Sequence, residues 1–276
     1  MLHLKMNPYI LIPTDFSDVC QNALIHGAEL TRTTSGRLLI LHVINKETKT
    51  YLARINKGPE YINVKLRNLA DGINKDYGVQ VEYLSRQGSI FKTISKVSKE
   101  RDAKMMVMGT HGKNGIQHLV GSAAMRVISS VDIPVIVVQK RIFGEGFKKI
   151  ILPLGLETDF LDKLDWVVEM ANLYGSEIHI FQLESQDKKI SNTMSDVGNL
   201  IASKLQMENI PYQIKTSDKE EKFTRDLLDY AIIQRADMII STMENSNIEP
   251  FINPGNEEEK LIYNTSQIPV MCIHPG

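Results

Sequence analysis

Tyr9-Ile10-Leu11-Ile12-Pro13, near the start of the chain, returns as Lys149-Ile150-Ile151-Leu152-Pro153, a shift of 140 residues from Pro13 to Pro153. Working outward from that pair, Leu38-Leu39-Ile40-Leu41-His42-Val43 returns as Ile178-His179-Ile180-Phe181-Gln182-Leu183, again 140 residues on. Ala103-Lys104-Met105-Met106-Val107-Met108 returns as Ala236-Asp237-Met238-Ile239-Ile240-Ser241, at 133. Ile133-Pro134-Val135-Ile136-Val137-Val138 returns as Ile268-Pro269-Val270-Met271-Cys272-Ile273, at 135. Four blocks in one order with little drift in spacing mark two copies of one domain, joined near Gly144-Glu145-Gly146. The copies span 1–144 and 145–276, and 276 residues suit two domains of about 150 residues each.

Within the first copy, strands alternate with helices. Residues 9–13 form a short unbroken apolar run, the pattern of a strand buried on both faces. Ser17 is placed to cap a following helix, Val19, Ala23, Leu24, Ala28 and Leu30 give it an apolar stripe, and Gly36 suits its end. Strands are expected at 37–44, 79–84, 105–108 and 135–138, and helices at about 60–77, 89–101 and 122–130. Lys46 to Lys65, basic and bearing Tyr51 and Tyr61, reads as a loop. Strands separated by helices imply right-handed crossovers, so the fold class is α/β: two tandem, doubly wound, mostly parallel five-stranded sheets.

Composition narrows the function classes. With 42% hydrophobic and 24% charged residues the chain can bury a core. Thirty-two Lys and Arg against 33 Asp and Glu give a net charge of −1, so no global basic field draws in nucleic acid. No apolar run approaches the roughly 20 residues that span a bilayer. MLHLKMNPYILIPTD has no signal-peptide layout, and Cys20 and Cys272 form neither a disulfide framework nor a metal-ligand spacing. The expectation is a cytoplasmic protein with no membrane and no specific nucleic-acid partner.

In doubly wound sheets ligands sit beyond the carboxyl ends of the strands. Pro13-Thr14-Asp15 follows the first strand. Gly109-Thr110-His111-Gly112-Lys113-Asn114-Gly115 follows the fourth and runs on to Gly121-Ser122-Ala123 at a helix start. Glycines allow close backbone approach, and a helix start offers free N–H groups, so Gly121, Ser122 and Ala123 form a candidate phosphate cradle. Asp15, acceptor-only when ionised, suits an adenine amino group or a ribose hydroxyl. On spacing alone, a surface turn with Asp15 capping a helix stands level with this nucleotide reading.

These same segments resemble the universal stress proteins, in the tandem two-domain form common in bacteria, over the whole chain. Ile10-Leu11-Ile12-Pro13-Thr14-Asp15-Phe16-Ser17 is similar to that family's first strand and turn. Met108-Gly109-Thr110-His111-Gly112, with Gly121-Ser122, is similar to its phosphate loop, and eight residues separate Gly112 from Gly121 where the family's ATP-binding pattern has nine. The resemblance implies an adenine-nucleotide alpha-hydrolase-like fold and a bound ATP, with Mg²⁺ held through the phosphates. It implies that Asp15 bonds adenine or ribose, that Pro13 and Thr14 shape the pocket, and that Val43 meets adenine through its backbone. Met108 and Gly109 would line the nucleotide, and Gly112, Gly121, Ser122 and Ala123 would hold phosphates. It further implies a stress-response regulator rather than an enzyme, a homodimer of tandem chains, and a protein partner not named by the sequence.

The second copy lacks this set. Gly155 stands for Asp15, Leu154 for Thr14, and Thr242-Met243-Glu244-Asn245 for the glycine loop. Gly255-Asn256 is followed by Glu257, Glu258 and Glu259, which would repel phosphates, so this copy is expected not to bind ATP. The glutamate run otherwise reads as a solvated face. His26 and His42 read as structural, His111 as a turn residue, and the methionines at 105, 106 and 108 as core filler. GxxxxGK[ST], GxGxxG after the first strand and GxSxG are all missing. Slow ATP hydrolysis or phosphoryl transfer, and a nucleotide-free interaction module, remain the rival readings.

Overall fold

The computed structural model describes residues 7–110, 122–155, 161–217, 222–242 and 257–273. They divide into two compact units, one running to Phe143 and one beginning at Gly144.

The first unit contains β1 (Tyr9–Pro13), α1 (Asp18–Thr34), β2 (Arg37–Ile44), α2 (Lys46–Arg54), α3 (Glu60–Tyr77), β3 (Gln80–Gln87), α4 (Ile90–Glu100), β4 (Ala103–Gly109), α5 (Ser122–Ile128) and β5 (Val135–Val138). Its strands lie in the order β3-β2-β1-β4-β5, and every neighbouring pair is parallel. Chain order therefore reverses between β1 and β4, which opens a crevice at their carboxyl ends. Ile10, Leu11 and Ile12 are fully buried, as a central strand covered on both faces requires. Met105, Met106 and Met108 are buried beside them and fill the core. β3 forms the edge and has no buried residue.

The second unit repeats the plan with β6 (Lys149–Leu154), α6 (Leu161–Tyr174), β7 (Glu177–Gln182), α7 (Lys188–Met207), β8 (Tyr212–Thr216), α8 (Phe223–Ile233), β9 (Met238–Thr242), α9 (Glu257–Ile262) and β10 (Val270–Ile273). Its order is β8-β7-β6-β9-β10, again parallel throughout. A five-stranded parallel α/β arrangement is thus present in each half.

Three local expectations change. Lys46 to Lys65 is not a loop, because Lys46–Arg54 form α2 and the segment's end lies in α3. The helix escapes notice in the sequence because Leu52 is its one buried residue, too little for an apolar stripe. Ser17 occupies the N-cap of α1 without a capping hydrogen bond from its side chain. At the other end of α1, Ser35 takes the left-handed position (φ 52°), while Gly36 donates its N–H to Thr31 and passes close to Pro8.

Candidate functional site

A cavity of about 490 Å³ lies at the carboxyl ends of β1, β2 and β4. Six of the ten residues singled out from the sequence line it: Pro13, Thr14, Asp15, Val43, Met108 and Gly109. Gly112 and Gly121 lie outside the described residues, as does His111. Ser122 and Ala123 form the first turn of α5.

The turn after β1 is built by short hydrogen bonds. Thr14 donates its N–H to the Leu41 carbonyl (2.8 Å), which keeps it in register with β2. Its hydroxyl oxygen accepts from the Phe16 N–H (3.0 Å). Asp15 Oδ1 accepts from the Ser17 N–H (2.8 Å), an Asx turn leading into α1. Asp15 thus orders the helix entry and also lines the cavity. Between these turns Phe16 is forced to φ 67°, a conformation that costs an aromatic residue about 1–3 kcal/mol. Its ring stacks on His42 (centroids 4.7 Å apart, planes at 29°), and the Lys65 ammonium lies 3.9 Å from its centroid.

Gly109 is glycine for a reason the sequence did not disclose. Its φ is not positive, but a Cβ there would stand 2.6 Å from the carbonyl carbon of Val19 and 2.9 Å from the Cys20 nitrogen. The end of β4 therefore runs against the backbone of α1, and this packing demands the missing side chain.

Sequence reasoning missed several wall residues. Cys20, Leu41, His42, Ile62, Lys65, Ile90, Ile94 and Val127 line the cavity from the elements around it. Asn45, Glu47, Thr48, Tyr51 and Arg54 come from α2 and its cap. Burial, with the Asp15 charge next, pushes the Cys20 thiol up to about 12, so it is neutral and a poor nucleophile. His42 is held below the ordinary histidine value, chiefly by burial; Lys65 acts in the same direction, while the Thr14 carbonyl and Asp15 oppose it. Among the described residues no group of three or more His, Cys, Asp or Glu could hold a metal ion. No described helix is long and apolar enough to cross a membrane.

The corresponding place in the second unit differs side chain by side chain. Phe181 stands for Leu41, Gln182 for His42 and Phe223 for Ile90. The Phe181 and Phe223 centroids are 5.5 Å apart, and Tyr230 packs 5.3 Å from Phe181. A Cβ on Gly155, the counterpart of Asp15, would meet the Phe223 ring at 3.8 Å. Residues 243–256, which include the glycine-loop counterpart and Gly255-Asn256, lie outside the described residues. Glu259 is buried, which corrects the expectation of a solvated face for that residue.

Comparison with known proteins agrees with this geometry. The model of the universal stress protein family matches residues 6–139. A universal stress protein of Methanocaldococcus jannaschii is 29% identical over 153 residues, covering 48% of this chain and 94% of its own length. One from a Synechocystis species is 29% identical over 132 residues, covering 47% of this chain and 83% of its own. The crystal structure of a universal stress protein from Archaeoglobus fulgidus matches the fold at a TM-score of 0.80 and 18% identity, covering 100% of this chain and 99% of that one. The relatives match about half the chain, the full-length fold neighbour matches all of it, and the sheet is repeated in each unit: residues 6–139 belong to the universal stress protein family, and the second unit repeats the fold in tandem.

Proposed function

We propose that the first unit binds ATP, with Mg²⁺ carried on the phosphates, and that the chain acts as a nucleotide-dependent regulator in a stress response. The observation that carries this reading is the cavity at the switch point, which gathers Pro13, Thr14, Asp15, Val43, Met108 and Gly109. Its volume of about 490 Å³ lies within the usual range for small-molecule sites. Aliphatic residues such as Leu41, Ile62, Ile90 and Ile94 suit a purine face, and Asp15 suits an amino or ribose hydroxyl donor. Gly112, Gly121, Ser122 and Ala123 are the residues we assign to the phosphates. Binding without turnover is favoured because both nitrogens of His42 are engaged and Cys20 is held protonated. The second unit is proposed not to take ATP, since Phe223 lies against Gly155 and this glycine stands where the first unit has the Asp15 carboxylate. A cytoplasmic location, pairing of two chains into a homodimer and an unidentified protein partner belong to the same proposal.

Isothermal titration with ATP and Mg²⁺ tests it, with one ATP per chain expected. Asp15→Ala removes a charge-assisted hydrogen bond and should weaken binding by roughly tenfold to a hundredfold. AMP should bind more weakly than ATP if the phosphates contribute. A flat titration with well-folded protein defeats the reading.

A further inference from the structure

We propose that His42 is a pH-sensitive latch on this cavity: as a neutral imidazole it ties α2, the outer wall, to the end of β1. The inference rests on the nucleotide reading for its consequence, but its geometry stands on its own. His42 Nδ1 lies 2.8 Å from the Thr14 carbonyl oxygen. A carbonyl oxygen only accepts, so Nδ1 must carry the hydrogen. His42 Nε2 lies 3.2 Å from Thr48 Oγ1, and in the neutral ring it must accept from that hydroxyl. Thr48 sits in the first turn of α2, where its N–H donates to the cap residue Asn45 Oδ1 (2.9 Å). One ring therefore connects the tip of β1, the end of β2 and the start of α2.

Leu52 is the one buried residue of α2, so burial holds the helix to the sheet only weakly. Asn45, Glu47, Thr48, Tyr51 and Arg54 face the cavity from it or its cap, and lifting it opens the wall.

A proton on Nε2 turns the acceptor into a donor. The Thr48 hydroxyl must then turn toward Asn45 Oδ1 (3.1 Å) or the Val43 carbonyl (3.4 Å), and a charge is left in a buried site. The charged and titratable groups around it are balanced. Asp15, from the turn before α1, favours the imidazolium, and Lys65 on α3 opposes it. Glu47, Tyr51 and Arg54 on α2, and Cys20 on α1, complete the titratable lining among the described residues. Burial outweighs the rest, so the closed cavity keeps His42 neutral below its ordinary value of 6.5. With α2 lifted, water reaches the ring and its proton affinity returns toward that value. The open state thus binds the proton more tightly, and acid favours it. The latch holds above about pH 6.5 and is lost as pH falls toward the depressed value of the closed state.

The decisive measurements use the full chain without nucleotide. ¹⁵N NMR of the imidazoles at pH 7.5 should show His42 with Nδ1 protonated and Nε2 bare, and amide exchange in α2, corrected for intrinsic rates, should accelerate between pH 7.5 and 5.5. An Nε2–H tautomer, or α2 exchange unmoved by pH, overturns the latch even if ATP binds. ATP affinity should fall below pH 6.5 by at most about tenfold per pH unit, the limit for one linked proton. His42→Gln, the residue found at the counterpart position 182, should bind ATP more weakly at pH 7.5 and lose that slope. A variant that keeps the slope overturns the assignment to His42. If no nucleotide binds at any pH while α2 exchange behaves as stated, the functional reading fails and the latch remains.

Discussion

The two halves of the chain share a sheet and differ in what stands at the ends of the strands. In the first, Leu41 and Ile90 leave room, Asp15 faces the space, and His42 fastens a helix across it. In the second, Phe181 and Phe223 stand at the first two of those positions with their rings tilted against each other, Gly155 replaces the carboxylate, and Gln182 replaces the histidine. Two aliphatic positions that border the cavity in the first half thus carry neighbouring aromatic rings in the second, with centroids 5.5 Å apart.

The sharpest way to break this comparison is to give the first half the second half's side chains. Leu41→Phe with Ile90→Phe should abolish ATP binding in calorimetry, a loss of more than about a hundredfold, while far-UV circular dichroism stays that of the parent. Retained binding would mean that the aromatic pair is not what separates the two halves in function. Next in size is Gly109→Ala, which presses a Cβ into the α1 backbone; Thr242 holds the counterpart position in β9. Overpacking of this kind should cost about 1–3 kcal/mol in urea unfolding of the first unit. The converse change, Phe181→Leu, should cost the second unit roughly 1–2 kcal/mol and still add no second ATP to the stoichiometry, because Gly155 offers no acceptor. Smallest is Lys65→Met, which removes the cation from the Phe16 ring and should cost less than about 1 kcal/mol. A separate check concerns Cys20: with its thiol near 12, reaction with a disulfide reagent at pH 8 should be far slower than for glutathione.

The strands were legible because parallel strands buried on both faces are unbroken apolar runs, as at Ile10-Leu11-Ile12 and Val135–Val138. Pro13, Thr14, Asp15 and Gly109 were legible because each lies at or just past a strand end, and Val43 and Met108 through the family resemblance. The walls were not. Leu41, Ile90 and Ile94 are ordinary core residues in sequence, and only packing decides whether they border a void. α2 was hidden by its polarity, since one buried leucine gives no helical period. His42 looked structural and is, but its ties to Thr14 and Thr48 arise from residues 28 and 6 positions away. Gly109 was noticed as a glycine suited to an anion, whereas the contact that requires it is with a neighbouring helix.

The aromatic pair of the second half also bears on how the protein would report its ligand. Two equivalent cavities in one chain could act cooperatively and give a threshold response. One site per chain, acting independently of any in a partner chain, gives a hyperbolic dose curve, in which moving from a tenth to nine-tenths saturation takes about an 80-fold change in free nucleotide. On the proposed reading, Phe181 and Phe223 make the chain a graded gauge of nucleotide supply rather than a switch.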